Sequence, residues 1–555
     1  MKRLVLPLLI LLLAATLPVA VFAQANDTVV IRGLGNVTTF NPFLTSDGAS
    51  YGAYSVLWPA PFETDSFTGE PIPGLTSWEI SEDGLTYTFT IREDAQWSDG
   101  TPITSDDILF SYGAVMSDDI DTVAESNVVG VSAVNKIDDK HYEIVLEAPN
   151  CAALSDMSAI RFLPAHKFAA DFSDFDDPEN PMNVNPDISG GPYILDSWEV
   201  DVSQNYHANE TYWGGAPQIP FLVNRVIGDQ AVAVQAIQNG DIDYINMNGD
   251  LFGQIADTSN LQFASFANIS VNFLAMNWAD PNDPQPAYDE DGNAVEQSPN
   301  AIFSDIAVRK AVAMGFNIDD VLATLGTDGG TPLVGVVTPS ITWAYNSELE
   351  RYPYDPEGAM QILEDAGWVD SDGDGVREKD GVPLAFTLKY SNILKHFETT
   401  ALVAQDQLTQ IGFQVDLQLI EWANYLDEVY FGQNFDMTAM SNSGGTTVPD
   451  PNDFTTLILS TEDVPGSGNN ITSYVNPEID ELIEQARTVP GCAPEDRAEI
   501  YYQIQQIAHD DVAYNWTYVP NVIQVANSRV GNFNPGPSWS LYGYASHVHE
   551  WTLSE

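Results

Sequence analysis

The chain has 555 residues, 44% hydrophobic and 11% aromatic, and it carries 80 Asp and Glu against 19 Lys and Arg. This is a globular composition, and the length exceeds what one hydrophobic core usually holds, so we expect at least two lobes. The formal net charge of −61 excludes nucleic acid as a partner, because phosphate backbones require a basic surface. The acids are spread along the chain, which favours general surface acidity over the alternative of an acidic cleft for a cationic ligand.

Residues 1–23 predict a signal peptide. Lys2 and Arg3 precede an apolar run from Leu4 to Leu13, and Val21-Phe22-Ala23 fits a small-residue cleavage site. No cysteine follows the run to carry a lipid, and no later stretch is apolar enough to span a bilayer. We therefore expect an exported protein, in the periplasm or on the extracellular face, that is soluble after cleavage. Retention of the N-terminal segment as an anchor is the alternative.

The first half of the mature chain predicts strands and turns before its first helix. One strand is expected at Thr28 to Arg32, and another around Tyr87, Phe89 and Ile91, which alternate with threonines. Asp-Gly pairs flank this second strand as turn signals. Thr104 predicts a helix start with a capping box, because an acid follows three residues later.

The second half alternates helices with strands, which is typical of α/β wrapping around a mixed or parallel sheet. N-cap and N1-proline patterns predict helix starts. The predicted elements are a helix with Ser304 as its N-cap, a helix at Asp355-Pro356 ending before Gly367, a helix from about Thr400 to Ile411, a strand from Phe413 to Leu419, and helices at Asn476-Pro477 and Pro494.

Several of these blocks, in this order, resemble the extracellular solute-binding proteins of family 5, which serve peptide, oligopeptide and dipeptide ABC importers. The matching segments are Gly74 to Leu109, Gly190 to Ile245, the helix with Val308-Arg309-Lys310-Ala311, and Ala366-Gly367-Trp368. The resemblance covers about Thr28 to Asn527. It implies an α/β, two-lobed periplasmic-binding-protein-like fold (type II, cluster C) with an extra subdomain in lobe I.

The resemblance also implies where the chain divides. The backbone should cross between the lobes near Phe273 to Asn277 and again near Tyr514 to Pro520. The implied parts are the signal peptide (1–23), lobe I (24–55, 190–275 and 516–555), its extra subdomain (56–189) and lobe II (276–515).

The function implied by the resemblance is capture of oligopeptides, or similar polar solutes, by hinge closure and their delivery to the permease subunits of an ABC importer. We expect a monomer that is not an enzyme, since the chain has no phosphate-binding loop, no dinucleotide fingerprint, no nucleophile elbow and no zinc-protease motif. An oligosaccharide-binding protein on the same scaffold is one alternative. A secreted hydrolase with catalytic acids among the 80 carboxylates is another.

The predicted ligand contacts lie at the ends of strands, where α/β folds hold ligands, and near the two crossings. For each aromatic residue the alternative is a place in the core. The predicted residues are Phe40 and Asn41 in the early cleft loop, Asn277, Trp516 and Tyr518 near the crossings, Trp422 and Tyr425 after a strand, and Asn442, Thr447, Asp450 and Phe454 in the next loop.

One departure from the family pattern bears on the ligand. In peptide-binding members an aspartate shortly before an Asp-Pro pair holds the free α-amine of the peptide. Counting back from Asp450-Pro451, that position is Thr447, although Asp450 or Asp453 could take its place if the loop is shifted. A buried ammonium without a partner is strongly disfavoured, so the sequence also favours sugars or other polar solutes.

Two further features concern metal binding and cross-linking. Asp370, Asp372 and Asp374, with Gly375, match the front half of an EF-type calcium loop, but position twelve is Gly381. A weak structural calcium site and a solvated acidic turn are both open, and no other cofactor is expected. Cys151 and Cys492 form either a disulfide or two separate thiols, and in the family's layout such segments usually lie in different subdomains.

Overall fold

The computed structural model describes residues 27–554, apart from 66–67, 281, 283–286, 289–293, 296, 298, 327, 444–447, 461–468 and 535–542. The predicted signal peptide and Thr447 therefore lie outside the described residues. Within the described residues, none of the helices has the length and apolar character that crossing a membrane requires.

Lobe I is built on an eight-stranded mixed sheet. Strand β1 lies inside it and pairs in parallel with two neighbours, and its residues from Val29 to Gly33 are all buried. Val29, Val30 and Ile31 form a continuous apolar run, which is typical of a strand covered on both faces. In spatial order the strands are β12 (Leu261–Ala267), β23 (Tyr518–Asn527), β11 (Tyr244–Asn248), β1 (Thr28–Gly33), β10 (Phe221–Val226), β9 (Ser203–Ala208) and β8 (Tyr193–Glu199), and β16 (Gly330–Pro332) pairs with the start of β23.

The extra subdomain carries a four-stranded antiparallel sheet, with its strands in the order β4 (Thr76–Ile80), β5 (Thr86–Ile91), β7 (His141–Leu146) and β6 (Val131–Lys136). Tyr87, Phe89 and Ile91 are buried, as their alternation with threonines predicts. These side chains belong to the same hydrophobic cluster as Val29 and Ile31 of the lobe I sheet. The subdomain and lobe I therefore share one continuous core.

Lobe II has a separate five-stranded sheet. Two hydrophobic clusters, one on each side of this sheet, form its core, and they include Phe273 and Leu274 from the same strand. The strand order is β20 (Gln414–Ile420), β19 (Ala385–Ser391), β21 (Met437–Ser443), β13 (Ser270–Met276) and β22 (Asn515–Trp516).

Helices cover these sheets, and the remaining strands form two-residue ribbons. The helices are α1 (Gly48–Tyr54), α2 (Ser105–Val115), α3 (Ala153–Ala159), α4 (Pro181–Val184), α5 (Gln230–Asn239), α6 (Ile306–Gly315), α7 (Ile318–Leu325), α8 (Pro356–Asp365), α9 (Lys395–Gln410), α10 (Trp422–Tyr425), α11 (Asn452–Thr455), α12 (Pro477–Arg487) and α13 (Pro494–Asp510). The ribbons are β2 (Glu63–Thr64) with β3 (Pro71–Ile72), β14 (Ala287–Tyr288) with β15 (Ala294–Val295), β17 (Glu378–Lys379) with β18 (Val382–Pro383), and β24 (Val530–Gly531) with β25 (Thr552–Leu553).

Most helix starts follow the predicted caps. Thr104 and Asp107 form the capping box of α2, and Asp355 caps α8 with Pro356 at its first position. The prediction for α6 is wrong by one residue, because the carboxylate of Asp305, not Ser304, accepts the hydrogen bond from the Ala307 amide. Helix α9 begins at Lys395, earlier than the predicted Thr400.

The backbone crosses between the lobes at 268–269, between β12 and β13, and at Thr517, between β22 and β23. From the segment between these crossings, β16 reaches back and pairs with the start of β23 beside the second crossing. The predicted first crossing is too late, because β13 pairs with β21 along its whole length and so belongs entirely to lobe II. The second crossing lies inside its predicted segment. The hydroxyl of Thr338 donates to the carbonyl oxygen of Asn268 at 2.9 Å and so anchors the first crossing.

Cys151 and Cys492 form a disulfide, with their Cα atoms 5.1 Å apart. Of the two possibilities that the sequence leaves open, the bridge is the one present. Cys151 precedes α3 in the extra subdomain, and Cys492 lies between α12 and α13 of lobe II.

A buried ion pair closes lobe I. The fully buried carboxylate of Asp243 accepts hydrogen bonds from Arg529 Nε at 2.6 Å and Nη2 at 2.7 Å, and from the backbone amide of Val30 at 2.8 Å. Arg529 also donates to the carbonyl oxygen of Thr28 at 2.8 Å. The pair therefore ties β1 to the segments that flank β11 and β23.

We expect Asp243→Asn to destabilise the protein by about 3 kcal/mol, because a guanidinium whose side chain is only 19% exposed then loses its counter-charge. Asp319→Asn, which breaks the exposed contact between Asp319 and Arg351, is the matched control and should cost about 1 kcal/mol or less. Denaturant unfolding of both variants measures the difference. Equal losses would show that the Asp243 pair has no special role.

Candidate ligand-binding cleft

The parallel strands of lobe II end along one edge of its sheet. Strands β19 and β20 run parallel, and β19 is also parallel to β21, so Ser391, Ile420 and Ser443 lie at the same edge. Strand β13 is antiparallel to β21, and its first residue, Ser270, pairs with Ser443. The first crossing therefore enters lobe II at the carboxyl edge, where ligand-binding loops of α/β sheets lie.

Lobe I has the same arrangement. Strands β1, β10 and β11 are parallel, so they end at one edge, at Gly33, Val226 and Asn248. Strand β23 runs antiparallel to β11 and to β12, which places Ala267 and Tyr518 at that edge as well. The carboxyl edges of the two sheets thus meet at the crossings, and the space between them is the candidate cleft.

Trp422 lies at the carboxyl edge of the lobe II sheet. It follows the end of β20, and Glu421 caps the short helix α10 by accepting from the Ala423 amide. The half-buried indole stacks on Tyr425, with ring centroids 5.7 Å apart and an angle of 17°. Tyr425 itself is 1% exposed and shares a 2.6 Å hydrogen bond with Thr438, so Trp422 is the member of the pair that reaches solvent.

A polar cluster lies beside the second crossing. His396, at the start of α9, makes a 3.1 Å hydrogen bond from Nε2 to Oδ1 of Asn272, and its ring lies 5.9 Å from that of Tyr518. Burial lowers the pKa of His396 to about 4, so the imidazole is neutral at neutral pH. The hydroxyl of Tyr518 is buried and has no partner among the described residues.

The carboxylate of Asp450 is occupied by an arginine. Arg497 donates to it from Nη1 at 2.7 Å and from Nη2 at 2.9 Å, and both side chains are buried. Arg497 also donates to the hydroxyl of Tyr501 at 2.8 Å. A ligand ammonium would have to compete with this guanidinium for Asp450. The pairing of Asp450 with Arg497 therefore holds the loop before α11 in place.

The lobes touch where the extra subdomain meets this loop. The hydroxyl of Ser155 donates to the carbonyl oxygen of Val448, and the side chain of Val448 packs in the lobe I core. A cavity of about 210 Å³ lies beside this contact. Its walls include Trp78, Leu154 and Cys151 from lobe I, and Trp343, Pro449 and Cys492 from lobe II.

Asp156 brings a third carboxylate to this contact between the lobes. Burial, together with the charges of Asp453 and Asp450, raises the pKa of Asp156 to about 7. The guanidinium of Arg497 already neutralises Asp450. The ionised form of Asp156 is therefore disfavoured where α3 faces lobe II.

Several other residues predicted to contact the ligand are buried or hydrogen-bonded within the protein. Phe40 and Phe454 are fully buried in the cores, and Asn41 donates its amide to Asn183 at 3.0 Å. Asn277 donates its amide to the carbonyl oxygens of Gln433 and Phe435. These side chains hold loops in place, and their contact with a ligand stays a prediction.

Two further predicted residues lie on strands of the lobe II sheet. Asn442, on β21 opposite Val271, is half-buried, and its Oδ1 atom has no hydrogen-bond partner among the described residues. Trp516 stacks on Tyr514 at 4.9 Å and lines a cavity of about 420 Å³ at the edge of the lobe II sheet.

Sequence reasoning missed His396, Asp156 and Trp343. His396 follows the end of β19, so the rule that selects Trp422 would have selected it too. Asp156 and Trp343 carry no such signal, because each gains its position from a contact between segments that are far apart in the chain.

Comparison with known proteins places this architecture in a family. A family model described as "Bacterial extracellular solute-binding proteins, family 5 Middle" matches residues 70–465. Oligopeptide-binding protein AppA from Bacillus subtilis is 26% identical over 543 residues, which cover 96% of this chain and 92% of that protein. The dipeptide-binding protein of Escherichia coli is 26% identical over 513 residues, which cover 89% of each chain.

The fold agrees with a solved structure. AppA from Bacillus subtilis in complex with a nonapeptide superposes with a TM-score of 0.68, at 24% identity, covering 95% of this chain and 99% of that one. The predicted two-lobed α/β fold is confirmed by this likeness.

We expect Asp156→Asn to stabilise the protein at pH 8 but not at pH 4. The folded pKa of Asp156 is about 7, above its usual 3.8, so the folded state loses stability as pH rises from about 4 through 7. Asparagine removes this loss, which is on the order of 4 kcal/mol.

Unfolding free energies at pH 4 and pH 8 measure the effect. Asp118→Asn, at an exposed position of the same subdomain, is the control and should change stability little at either pH. If Asp156→Asn is destabilising at pH 8, the carboxylate makes a favourable contact there and its interpretation is wrong.

Proposed function

Because the chain belongs to the bacterial extracellular solute-binding proteins of family 5, we propose that it captures a peptide, or a solute of similar polarity, between its lobes and delivers it to an ABC importer. The observation that carries this proposal is the pair of carboxyl edges that face each other at the two crossings. AppA, named for oligopeptides, and the dipeptide-binding protein of Escherichia coli support peptides as the solute class.

The proposed mechanism is hinge closure. The crossings at 268–269 and 517 are short, so rotation of the backbone there moves one lobe as a body against the other. A solute that contacts both edges favours the closed form, because only that form makes both sets of contacts. The permease then recognises the closed, loaded protein, and no catalytic step is required.

The proposed ligand contacts come mainly from lobe II. Trp422 offers one aromatic face to the cleft, since its other face packs on Tyr425. His396 is neutral, and with Asn272 it supplies polar groups beside the second crossing without a charge. Because Asp450 is paired with Arg497, we propose that this protein holds a peptide by its backbone and side chains more than by its α-amine.

We also propose export, removal of residues 1–23 and action as a monomer, as the signal-peptide pattern and the family support. The hydrogen bond from Ser155 to Val448 is an example of a lobe-to-lobe contact made within one chain.

Trp422→Ala should weaken peptide binding by about 1–3 kcal/mol, since one aromatic contact face is lost. Trp422→Phe is the matched control, because it keeps an aromatic face on Tyr425 and should lose much less. Calorimetric titration with a pool of di- to nonapeptides, and separately with oligosaccharides, measures both variants beside the native protein.

Peptide binding that weakens in Trp422→Ala, with an unchanged melting temperature of the empty protein, supports the assignment. Binding of oligosaccharides instead of peptides would show that the solute class is wrong. If Trp422→Ala lowers the melting temperature of the empty protein but leaves its affinity unchanged, Trp422 belongs to the core.

We propose a weak calcium site in the loop between α8 and β17. Carboxylate oxygens of Asp370, Asp372 and Asp374 all lie within 4.8 Å of one another, and oxygen ligands of this kind suit Ca²⁺. The amides of Gly373 and Gly375 donate to Asp370 and so fix the turn. Glu378 instead accepts from Ser371, and position twelve has no carboxylate, so the affinity is low.

Calcium should bind with a dissociation constant on the order of 10⁻⁴–10⁻³ M and raise the melting temperature. Asp372→Asn should abolish the rise, whereas Asp416→Asn, at an exposed position on β20, should retain it. Thermal unfolding with calcium and with an excess of chelator provides the measurement. An identical melting temperature in both buffers identifies the loop as a solvated turn.

A further inference from the structure

The disulfide between Cys151 and Cys492 connects the two lobes. Cys151 lies in the extra subdomain, and the neighbouring residues Ala153 and Leu154 pack in the lobe I core. Cys492 lies between α12 and α13, whose side chains, such as Ile483 and Tyr501, pack in the lobe II core. The bridge is therefore a third covalent connection, in addition to the two backbone crossings.

The bridge lies within a packed contact between the lobes. The backbone amide of Cys151 donates to the carbonyl oxygen of Arg487 at 2.7 Å, and Ser155 donates to Val448 on the same surface. Cys151 and Val448 are each 4% exposed. None of the described residues around the neighbouring 210 Å³ cavity belongs to either crossing, so this surface is separate from the hinge.

A third connection changes what the hinge can do. Two short crossings permit rotation about the line that joins them, and the lobes separate most at points far from that line. A disulfide holds its two Cα atoms within about 7 Å of each other. The Cα atoms of Cys151 and Cys492 are already 5.1 Å apart, so at this point the lobes have almost no room to separate.

We propose that the Cys151–Cys492 disulfide is a covalent tether between the lobes, which limits opening of the cleft in the oxidised protein so that solute enters and leaves through a partly open cleft. The inference rests on the proposed function, because it concerns the motion that captures the solute. Disulfides persist in the compartments to which exported proteins go, so the tether is present in the working protein.

Breaking the bridge removes the tether between the lobes. In thiol–disulfide exchange a dithiol reductant supplies two electrons and two protons, the sulfur–sulfur bond breaks, and both cysteines become thiols while the reductant forms its own disulfide. The Cys151→Ser/Cys492→Ser double variant reaches the same uncrosslinked state without a reductant.

Small-angle X-ray scattering of the empty proteins tests whether the tether limits opening. Each protein is freed of solute by denaturation and refolding, and mass spectrometry confirms the bridge in the native protein. The empty double variant should have a larger radius of gyration than the empty native protein. Ser155→Ala is the matched control, because it removes a hydrogen bond between the lobes but keeps the bridge, and it should keep the native value.

Solute exchange provides the second measurement. The dissociation rate of a bound peptide from the pool should rise several-fold in the double variant, because a wider opening is accessible. If the double variant fails to fold, folded native protein reduced with a dithiol and then alkylated replaces it in both measurements.

Equal radii of gyration for the empty native and uncrosslinked proteins would overturn the proposal. The comparison of empty forms requires no ligand, so it stands apart from the proposed function. A larger radius without any peptide binding would support the tether and reject the peptide as the solute. Peptide binding with equal radii would support the peptide and reject the tether.

Discussion

The position of the two crossings is the constraint on which the cleft depends. The chain leaves lobe I at the carboxyl edge of its parallel strands and enters lobe II at the carboxyl edge of that sheet. Loops that follow strands at both edges are thereby brought to one gap. Crossings at the opposite ends of β12 and β13 would place these loops on the outer surfaces, where they could not act on one solute.

Repulsion between carboxylates is reduced where the two lobes touch, although the protein is very acidic. The one carboxylate that the loop before α11 buries deeply, that of Asp450, is neutralised by Arg497. Asp156 faces the same loop with a raised pKa, so part of its repulsion is relieved by protonation near neutral pH. The two lobes can therefore touch beside the disulfide despite the net charge of −61.

Local patterns made much of the fold predictable. The alternation around Tyr87 and the caps at Thr104 and Asp355 depend on residues a few positions apart, and the structure contains each of them. The predicted first crossing is too late because β13 carries no local signal of the lobe that it joins, and only its pairing with β21 shows this.

The candidate site was less predictable, because its contacts join distant segments. Strand-end logic predicts Trp422, whereas the pairing of Asp450 with Arg497 depends on a residue 47 positions away. The disulfide joins residues 341 positions apart, and no local pattern indicates the distance between them. Such contacts follow from tertiary packing and not from local propensity.

Native mass spectrometry of the protein, purified gently from the cells that export it, tests the central claim most directly. The account predicts a fraction of molecules that carry extra mass, released on denaturation as peptides. Bare protein that also binds no peptide when the pool is added, or released masses that are saccharides, would contradict it.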